Sequence, residues 1–200
     1  MFVQVIHGKV KDAEAMLKQL DKWEQDVKPG AEGFLGSTGG VTGDGEFLVA
    51  ARFESEEAGQ KNSSRSEQGE WWSETSQLFD GEPVFHDYTE TKVSAGGGSD
   101  DAGFVQVIHG KVSDVKRSQE LADQMDRELP NHRPDVIGSV DCWKDNGGFT
   151  TVIYFTSEAE AREGEKKEMP EDLKPAMEEM MSLSEEVQFF DLKEPRFVSP

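Results

Sequence analysis

The stretch "FVQVIHGKVKD", from Phe2 to Asp12, returns almost unchanged as "FVQVIHGKVSD", from Phe104 to Asp114. Ten of the eleven residues are identical, and the copies lie 102 positions apart in a chain of 200 residues. Each copy is rich in β-branched residues and apolar on both faces, which predicts a strand in the middle of a sheet. A repeat at half the chain length predicts two similar units of about 100 residues each.

The same order of elements follows each copy. Asp12 and Asp114 can each cap an amphipathic helix, and two strands joined by "GDG" or "KDNGG" come next. Ser55 and Ser157 then begin a second, interrupted helical region, and a last strand lies in "PVFHDYTETKV" or "VQFFDLKEP". The order βαββαβ predicts an α+β, ferredoxin-like unit with both helices on one face of a four-stranded antiparallel sheet.

The repeat sets the predicted domain boundaries. We expect one ferredoxin-like repeat in residues 1–93 and another in residues 104–200, joined by the Gly/Ser linker "SAGGGSDDAG" in residues 94–103. The helix-free face of each sheet needs a cover, and the second repeat can supply it. We therefore predict that the repeats pack sheet to sheet as an intramolecular barrel, so that a monomer need not dimerise to complete the barrel.

The opening strands "FVQVIHGKV", the helix after each, and the stretches "FESEEA" (Phe53–Ala58) and "FTSEAEA" (Phe155–Ala161) resemble a known family. They are similar to the dimeric α/β-barrel superfamily, in particular its antibiotic-biosynthesis-monooxygenase-like branch, as a fused tandem repeat. The resemblance implies an oxygenase without a built-in cofactor that acts on a small electron-rich aromatic molecule, such as a phenol or an anthrone.

Composition excludes several classes of partner. The chain has 41 Asp and Glu against 21 Lys and Arg, a formal net charge of −20. Such an acidic surface repels nucleic acid phosphates and anionic lipid, so neither is expected as a partner. The sequence contains no run of about 18 apolar residues, which is the length that a membrane-spanning helix needs. The single cysteine, Cys142, allows no internal disulfide and favours a reducing, cytoplasmic location.

Cofactor motifs are absent from the sequence. It contains no CxxC pair, no HExxH helix, no Walker loop and no GxGxxG after a strand, and its four histidines have no metal-ligand spacing. We therefore expect no bound metal, flavin, haem or nucleotide, and a small apolar or aromatic molecule as the partner.

A histidine occurs on the first strand of both repeats, as His7 and His109. Each could be a buried neutral imidazole with one hydrogen-bond partner, or a general base near neutral pH. Because strand side chains alternate, Gln4 and Gln106 point to the opposite face. One of these two pairs must face the helices, and the sequence alone leaves open which.

A second group of candidates occurs in the first repeat only. Its last strand carries His86 and Tyr88, where the second repeat has Phe190 and Leu192, and this asymmetry favours a site in the first repeat. An oxygenase of the type implied by the resemblance needs a base and an apolar cavity with donors. We expect His86 or His7 as the base. The expected substrate-binding residues are Trp71, Trp72, Tyr88, Asn62 and Arg65, and the second-repeat candidates are His109, Trp143 and Tyr154.

Two other functions remain open at this point. The first is a small-molecule-binding barrel without catalysis. The second is haem binding and degradation, which the superfamily resemblance implies for proteins with a first-strand asparagine, a tryptophan and a histidine. Trp72 and His86 match two of those residues loosely, whereas the first strand has Gln4 and His7 in place of the asparagine.

Overall fold

The computed structural model describes residues 1–94, 97–98 and 100–200, so part of the predicted linker, residues 95, 96 and 99, lies outside the described residues. The chain forms two compact units: Met1–Thr89 with Glu194–Pro200 make unit 1, and Glu90–Lys193 make unit 2. No helix in the described part of the chain is long and apolar enough to cross a membrane.

Each unit contains the predicted sequence of strands and helices. Unit 1 begins with β1 (Phe2–Lys9), α1 (Ala13–Lys22), β2 (Phe34–Val41), β3 (Glu46–Phe53), α2 (Glu56–Ser63), α3 (Ser66–Thr75) and β4 (Val84–Tyr88). Unit 2 contains β5 (Glu90–Ser94), β6 (Phe104–Val112), α4 (Val115–His132), β7 (Val136–Trp143), β8 (Gly148–Phe155), α5 (Glu158–Glu165), α6 (Lys174–Leu183) and β9 (Ser184–Leu192). The short strand β10 (Arg196–Val198) completes unit 1.

Polar side chains fix where the helices begin. Asp12 accepts a hydrogen bond from the backbone N–H of Ala15, and Asp114 does the same for Arg117. Ser55 and Ser157 cap α2 and α5 in the same way. Each cap satisfies one of the N–H groups that the first turn of a helix leaves unpaired.

Both sheets are antiparallel and have five strands, in the orders β10-β2-β3-β1-β4 and β5-β7-β8-β6-β9. The predicted ferredoxin-like repeats are confirmed in the four strands β2-β3-β1-β4 and their counterparts. The four-strand prediction omitted a fifth strand in each sheet: "PVFHDYTETKV" is divided between β4 of unit 1 and β5 of unit 2, and the fifth strand of unit 1 is β10. The additional strands β10 and β5 pair with β2 and β7, whose outer backbone groups would otherwise be unpaired.

Strand alternation divides the sheet of unit 1 into two chemically different faces. Phe2 and Ile6 belong to the apolar clusters formed with the helices, so Gln4, which lies between them on β1, also faces the helices. His7 lies on the opposite face. The question that the sequence left open is therefore settled for unit 1: the glutamine is on the helix side and the histidine is not.

The helix side of unit 2 contains a buried polar cluster. The Asp141 side chain accepts hydrogen bonds from Ser139 Oγ at 3.0 Å and from Thr151 Oγ1 at 2.7 Å, and Lys92 on β5 pairs with Asp126 on α4 nearby. Burial raises the pKa of the Asp141 carboxyl; the two hydroxyl bonds and the Lys92 charge oppose this rise, and the Asp126 charge adds to it. Asp141 replaces Gly39 of unit 1 at the 102-residue offset.

Asp141 should lower the stability of the folded protein at neutral pH. The pKa of the Asp141 carboxyl is higher in the folded state than in the unfolded chain. The free energy of unfolding therefore falls as pH rises from the ordinary carboxyl pKa to the raised one. Asp141→Asn removes the charge and keeps partners for both hydroxyls. We expect this variant to be more stable at pH 7 by on the order of 1 kcal/mol, measured by urea unfolding.

Asp126→Asn is the matched control for this prediction. It removes the carboxylate that pairs with Lys92 and accepts from Ser94 Oγ, so it should lower stability at pH 7. The account of Asp141 fails if Asp141→Asn destabilises the protein at pH 7 as much as Asp126→Asn does.

Candidate functional site

The helices of unit 1 do not fully cover the sheet beneath them. Gln4 and Ala51 are cross-strand neighbours on the inner strands β1 and β3 and face the helices, yet both remain half-buried rather than buried. Trp72 on α3 is also half-buried, and Phe85 on β4 is 44% exposed. Solvent therefore reaches the sheet between the helices and the edge strand. We call this feature, formed by Gln4, Ala51, Trp72, Phe85 and Asp87, the Trp72 groove.

An aromatic wall forms one side of the Trp72 groove. The Trp72 and Phe85 rings meet edge to face, with centroids 5.1 Å apart and an interplanar angle of 68°. Phe79 supports Trp72 from the core, at a centroid distance of 6.0 Å. The Trp72 indole N–H has no acceptor among the described residues. The wall thus presents an apolar aromatic surface and one donor to a ligand.

An oriented carboxylate lies on the same side of the sheet. Asp87 is opposite Gln4 in the register of β1 and β4, and the Gln4 side-chain amide donates to Asp87 Oδ1 at 2.8 Å. Among the described residues, no lysine or arginine pairs with Asp87. The amide fixes the carboxyl orientation and leaves Oδ2 available to a ligand.

Unit 2 has the same Gln–Asp pair, but an arginine closes it. Gln106 donates to Asp191 Oδ1 at 3.0 Å, and Arg162 pairs with Asp191 Oδ2. The Arg162 guanidinium also lies over the Phe104 ring, 5.1 Å from its centroid. The residue at the Arg162 position in unit 1 is Gln60, whose amide donates to Glu56 on the same helix. The second carboxylate oxygen of the Gln–Asp pair is therefore accessible in unit 1 and bound by Arg162 in unit 2.

His86 and Tyr88, which the sequence grouped with the tryptophans, lie on the other face of the sheet. Their rings stack at a centroid distance of 6.4 Å, and His86 is opposite Val5 in the register. Since Trp72 packs on the helix side, the sheet separates it from both residues. The structure does not bring this predicted set together.

His7 shares the face of His86 and has a carboxylate partner. Its Nε2 lies 3.1 Å from Glu46 Oε2, and the other Glu46 oxygen lies 3.5 Å from Lys9 Nζ. The unit 2 equivalent, His109, instead has its Nδ1 2.9 Å from Thr150 Oγ1. The two repeats thus keep the histidine and change the group that orients it.

The other predicted substrate-binding residues join the helices of unit 1. The Trp71 indole donates to the Gln19 carbonyl at 2.7 Å. Arg65 donates to Asn62 Oδ1 at 3.0 Å and to the Val27 carbonyl at 2.9 Å, and Asn62 is buried. These contacts hold the α2–α3 junction against α1 and against Val27, which follows α1 in the chain.

The remaining second-repeat candidates lie on different faces of the unit 2 sheet. The Trp143 indole donates to Ser118 on α4 at 3.3 Å, so it belongs to the helix side. Tyr154 is opposite Val105 and lies on the same face as His109. Both rings are buried.

The residues of unit 1 do not fit the arrangement expected for haem. Trp72 and His86, which matched the haem-degrading pattern loosely, lie on opposite faces of the sheet, so one group in the Trp72 groove could not contact both. Within the described ranges, no group of three or more His, Cys, Asp or Glu side chains is placed to hold a metal ion.

Comparison with known proteins identifies the fold. No family model and no curated protein matches the chain. A candidate monooxygenase from Fusobacterium nucleatum aligns with 99% of this chain and 94% of its own, at a TM-score of 0.75 and 8% identity. A candidate monooxygenase from Lactobacillus acidophilus aligns with 99% of this chain and 95% of its own, at a TM-score of 0.74 and 11% identity. An anthrone oxidase-like protein aligns with 100% of this chain and 94% of its own, at a TM-score of 0.69 and 11% identity.

The chain has the fused two-repeat fold of these monooxygenase-like proteins. The predicted resemblance to the antibiotic-biosynthesis-monooxygenase-like branch is thereby confirmed at the level of fold.

Four residues of the Trp72 groove were missed in the sequence, namely Gln4 as part of a site, Ala51, Phe85 and Asp87, and so was the role of Arg162 in unit 2. The repeat itself held the signal. Gln4 and Asp87 recur as Gln106 and Asp191, whereas Arg162 aligns with Gln60. A pair kept in both copies beside a position that differs in charge indicates a polar site open in one copy only.

Arg65 is expected to contribute to stability and not to ligand binding. Arg65→Met keeps the aliphatic stem but removes the bonds to Val27 and to the buried Asn62, so the free energy of unfolding should fall by about 1–3 kcal/mol. Binding of an aromatic ligand, followed by Trp fluorescence, should not change.

Arg127→Met provides the control, since Arg127 is exposed on α4 and should tolerate the same change. Loss of ligand binding in Arg65→Met with unchanged stability would instead assign Arg65 to the substrate, as the sequence suggested.

Proposed function

We propose that this chain is a monooxygenase of the antibiotic-biosynthesis type that binds a small aromatic substrate in the Trp72 groove of unit 1. The observation that carries the proposal is the oriented Asp87 carboxylate beside the exposed Trp72–Phe85 wall, in the unit whose equivalent of Arg162 is Gln60. The names of three proteins with the same fused fold, two candidate monooxygenases and an anthrone oxidase-like protein, support the reaction class.

The reaction needs no reductant other than the substrate. An anthrone carries a CH₂ group between two aromatic rings, and loss of one proton leaves a carbanion. The carbanion reduces O₂ and forms a C–O bond, which becomes a hydroperoxide on protonation. Loss of water from the hydroperoxide leaves a carbonyl. One oxygen atom of O₂ is then in the product and the other is in water.

The groove residues suit the steps of this reaction. Trp72 and Phe85 bind the aromatic rings of the substrate. Asp87 Oδ2 accepts the proton and returns it to the peroxide, while Gln4 holds the carboxyl in place. His86 and His7, predicted as bases, face the other side of the sheet. They stay predictions for chemistry on that face.

The proposal is tested by measuring O₂ consumption with anthrone in wild type and three variants. Asp87→Asn should lower kcat by about 10²- to 10⁴-fold with little change in binding, because it removes the proton acceptor. Trp72→Leu should weaken binding by about tenfold. His86→Ala should change neither, since its side chain lies across the sheet from the groove.

Two other outcomes would assign a different site or a different function. If His86→Ala abolishes turnover and Asp87→Asn does not, the site is on the histidine face, as the sequence suggested. If anthrone binds in a Trp72-dependent manner and wild type consumes no O₂, the groove is a binding site without catalysis.

A further inference from the structure

The Arg162 side chain of unit 2 shows which chemical group fits the Gln–Asp pair. Its planar guanidinium bonds to Asp191 Oδ2 and lies over the buried Phe104 ring, 5.1 Å from its centroid. A planar cation between a carboxylate and an aromatic face gains both a charge-assisted hydrogen bond and cation–π attraction. In unit 2, part of the protein itself fills this position.

Unit 1 keeps the carboxylate, the aromatic ring and the glutamine of this position but lacks the cation, and Ser63 replaces Glu165, which accepts a further bond from Arg162. Phe2 takes the place of Phe104, Asp87 that of Asp191, and Gln4 that of Gln106. Gln60 stands where Arg162 would be and donates to Glu56 instead. No lysine or arginine pairs with Asp87 among the described residues. Unit 1 also adds an exposed aromatic wall that α6 of unit 2, which has no aromatic residue, does not provide.

We propose that the Trp72 groove also binds an aromatic molecule with a planar, N–H-donating cationic group, such as an amidinium or a protonated ring amine, and that this molecule competes with the substrate. This group binds Asp87 Oδ2 as the Arg162 guanidinium binds Asp191 Oδ2, and the attached ring lies against Trp72. The inference rests on the groove proposed above as the substrate site and adds a class of ligand that blocks Asp87 Oδ2 there.

The charge of the whole chain favours this class of ligand. A formal net charge of −20 attracts cations and repels carboxylates during diffusion to the site. The Asp87 carboxylate acts in the same direction at short range. An anionic aromatic ligand would approach against both, whereas a neutral one would gain from neither.

Three ligands of nearly the same shape test the proposal: benzamidine is cationic, benzamide is neutral and benzoate is anionic. Calorimetric titration of wild type at pH 7 should give benzamidine an affinity about 2- to 5-fold above that of benzamide, as expected for one ion pair to the exposed Asp87 carboxylate. Benzoate should bind most weakly. Equal affinities for benzamidine and benzamide, or no measurable binding of benzamidine, would overturn the proposal.

Two substitutions in unit 1 test the position of the cationic group. Asp87→Asn should remove the preference for benzamidine over benzamide. Gln60→Arg copies the unit 2 side chain into unit 1 and should block benzamidine binding, because its guanidinium competes for Asp87. Asp191→Asn in unit 2 is the matched control and should leave binding unchanged. Unaltered benzamidine binding in Gln60→Arg, in protein with the wild-type melting temperature, contradicts the assignment.

Trp72→Leu separates failure of this inference from failure of the proposed function. If 2-naphthol, a neutral aromatic, binds wild type and loses affinity in Trp72→Leu while benzamidine has no advantage over benzamide, the groove stands and the cationic class is wrong. If benzamidine binding survives both Trp72→Leu and Gln60→Arg, the ligand binds elsewhere and both proposals fail.

Discussion

A hydrogen bond from a first-strand glutamine to a last-strand aspartate is the interaction on which this account depends. It joins β1 to β4 in unit 1 at 2.8 Å and β6 to β9 in unit 2 at 3.0 Å. In both units it lies on the helix side, where an apolar core would normally continue. In unit 1 the pair and its neighbour Ala51 remain accessible to solvent. In unit 2 Arg162 binds the second carboxylate oxygen, whereas in unit 1 that oxygen is exposed to solvent and available to a ligand.

The fold could be predicted because its determinants are local and occur twice. The repeat beginning at Phe2 and Phe104, the caps at Asp12 and Asp114, and the turn signals define the element order without knowledge of long-range contacts. The fifth strands could not be predicted in this way, because β10 pairs with β2 across about 160 residues of chain. Proline commonly ends a helix, yet α4 continues through Pro130 to His132.

The site was harder to predict, because its membership depends on which way each side chain of a strand points. In "VFHDY" of β4, Phe85 and Asp87 face the helices, whereas His86 and Tyr88 face away, and a one-residue change in register would exchange the two sets. Residue type drew attention to the histidine and the tyrosine. The sequence could show that the two repeats differ around Trp72, because Trp72 has no counterpart in the second repeat. It could not show which strand residues lie beside Trp72, because that depends on the strand register.

The most direct test of the central claim, that ligand binds on the helix side of unit 1, is a ¹⁵N–¹H NMR titration of the four tryptophan indoles. The indole N–H groups of Trp23, Trp71 and Trp143 all donate to protein acceptors. The Trp72 indole has no such acceptor among the described residues. Adding benzamidine or 2-naphthol should shift the Trp72 signal, assigned with Trp72→Phe, and leave the other three nearly unchanged. A shift confined to Trp143, or histidine ring shifts at His7 and His86 with no change at Trp72, would contradict the account.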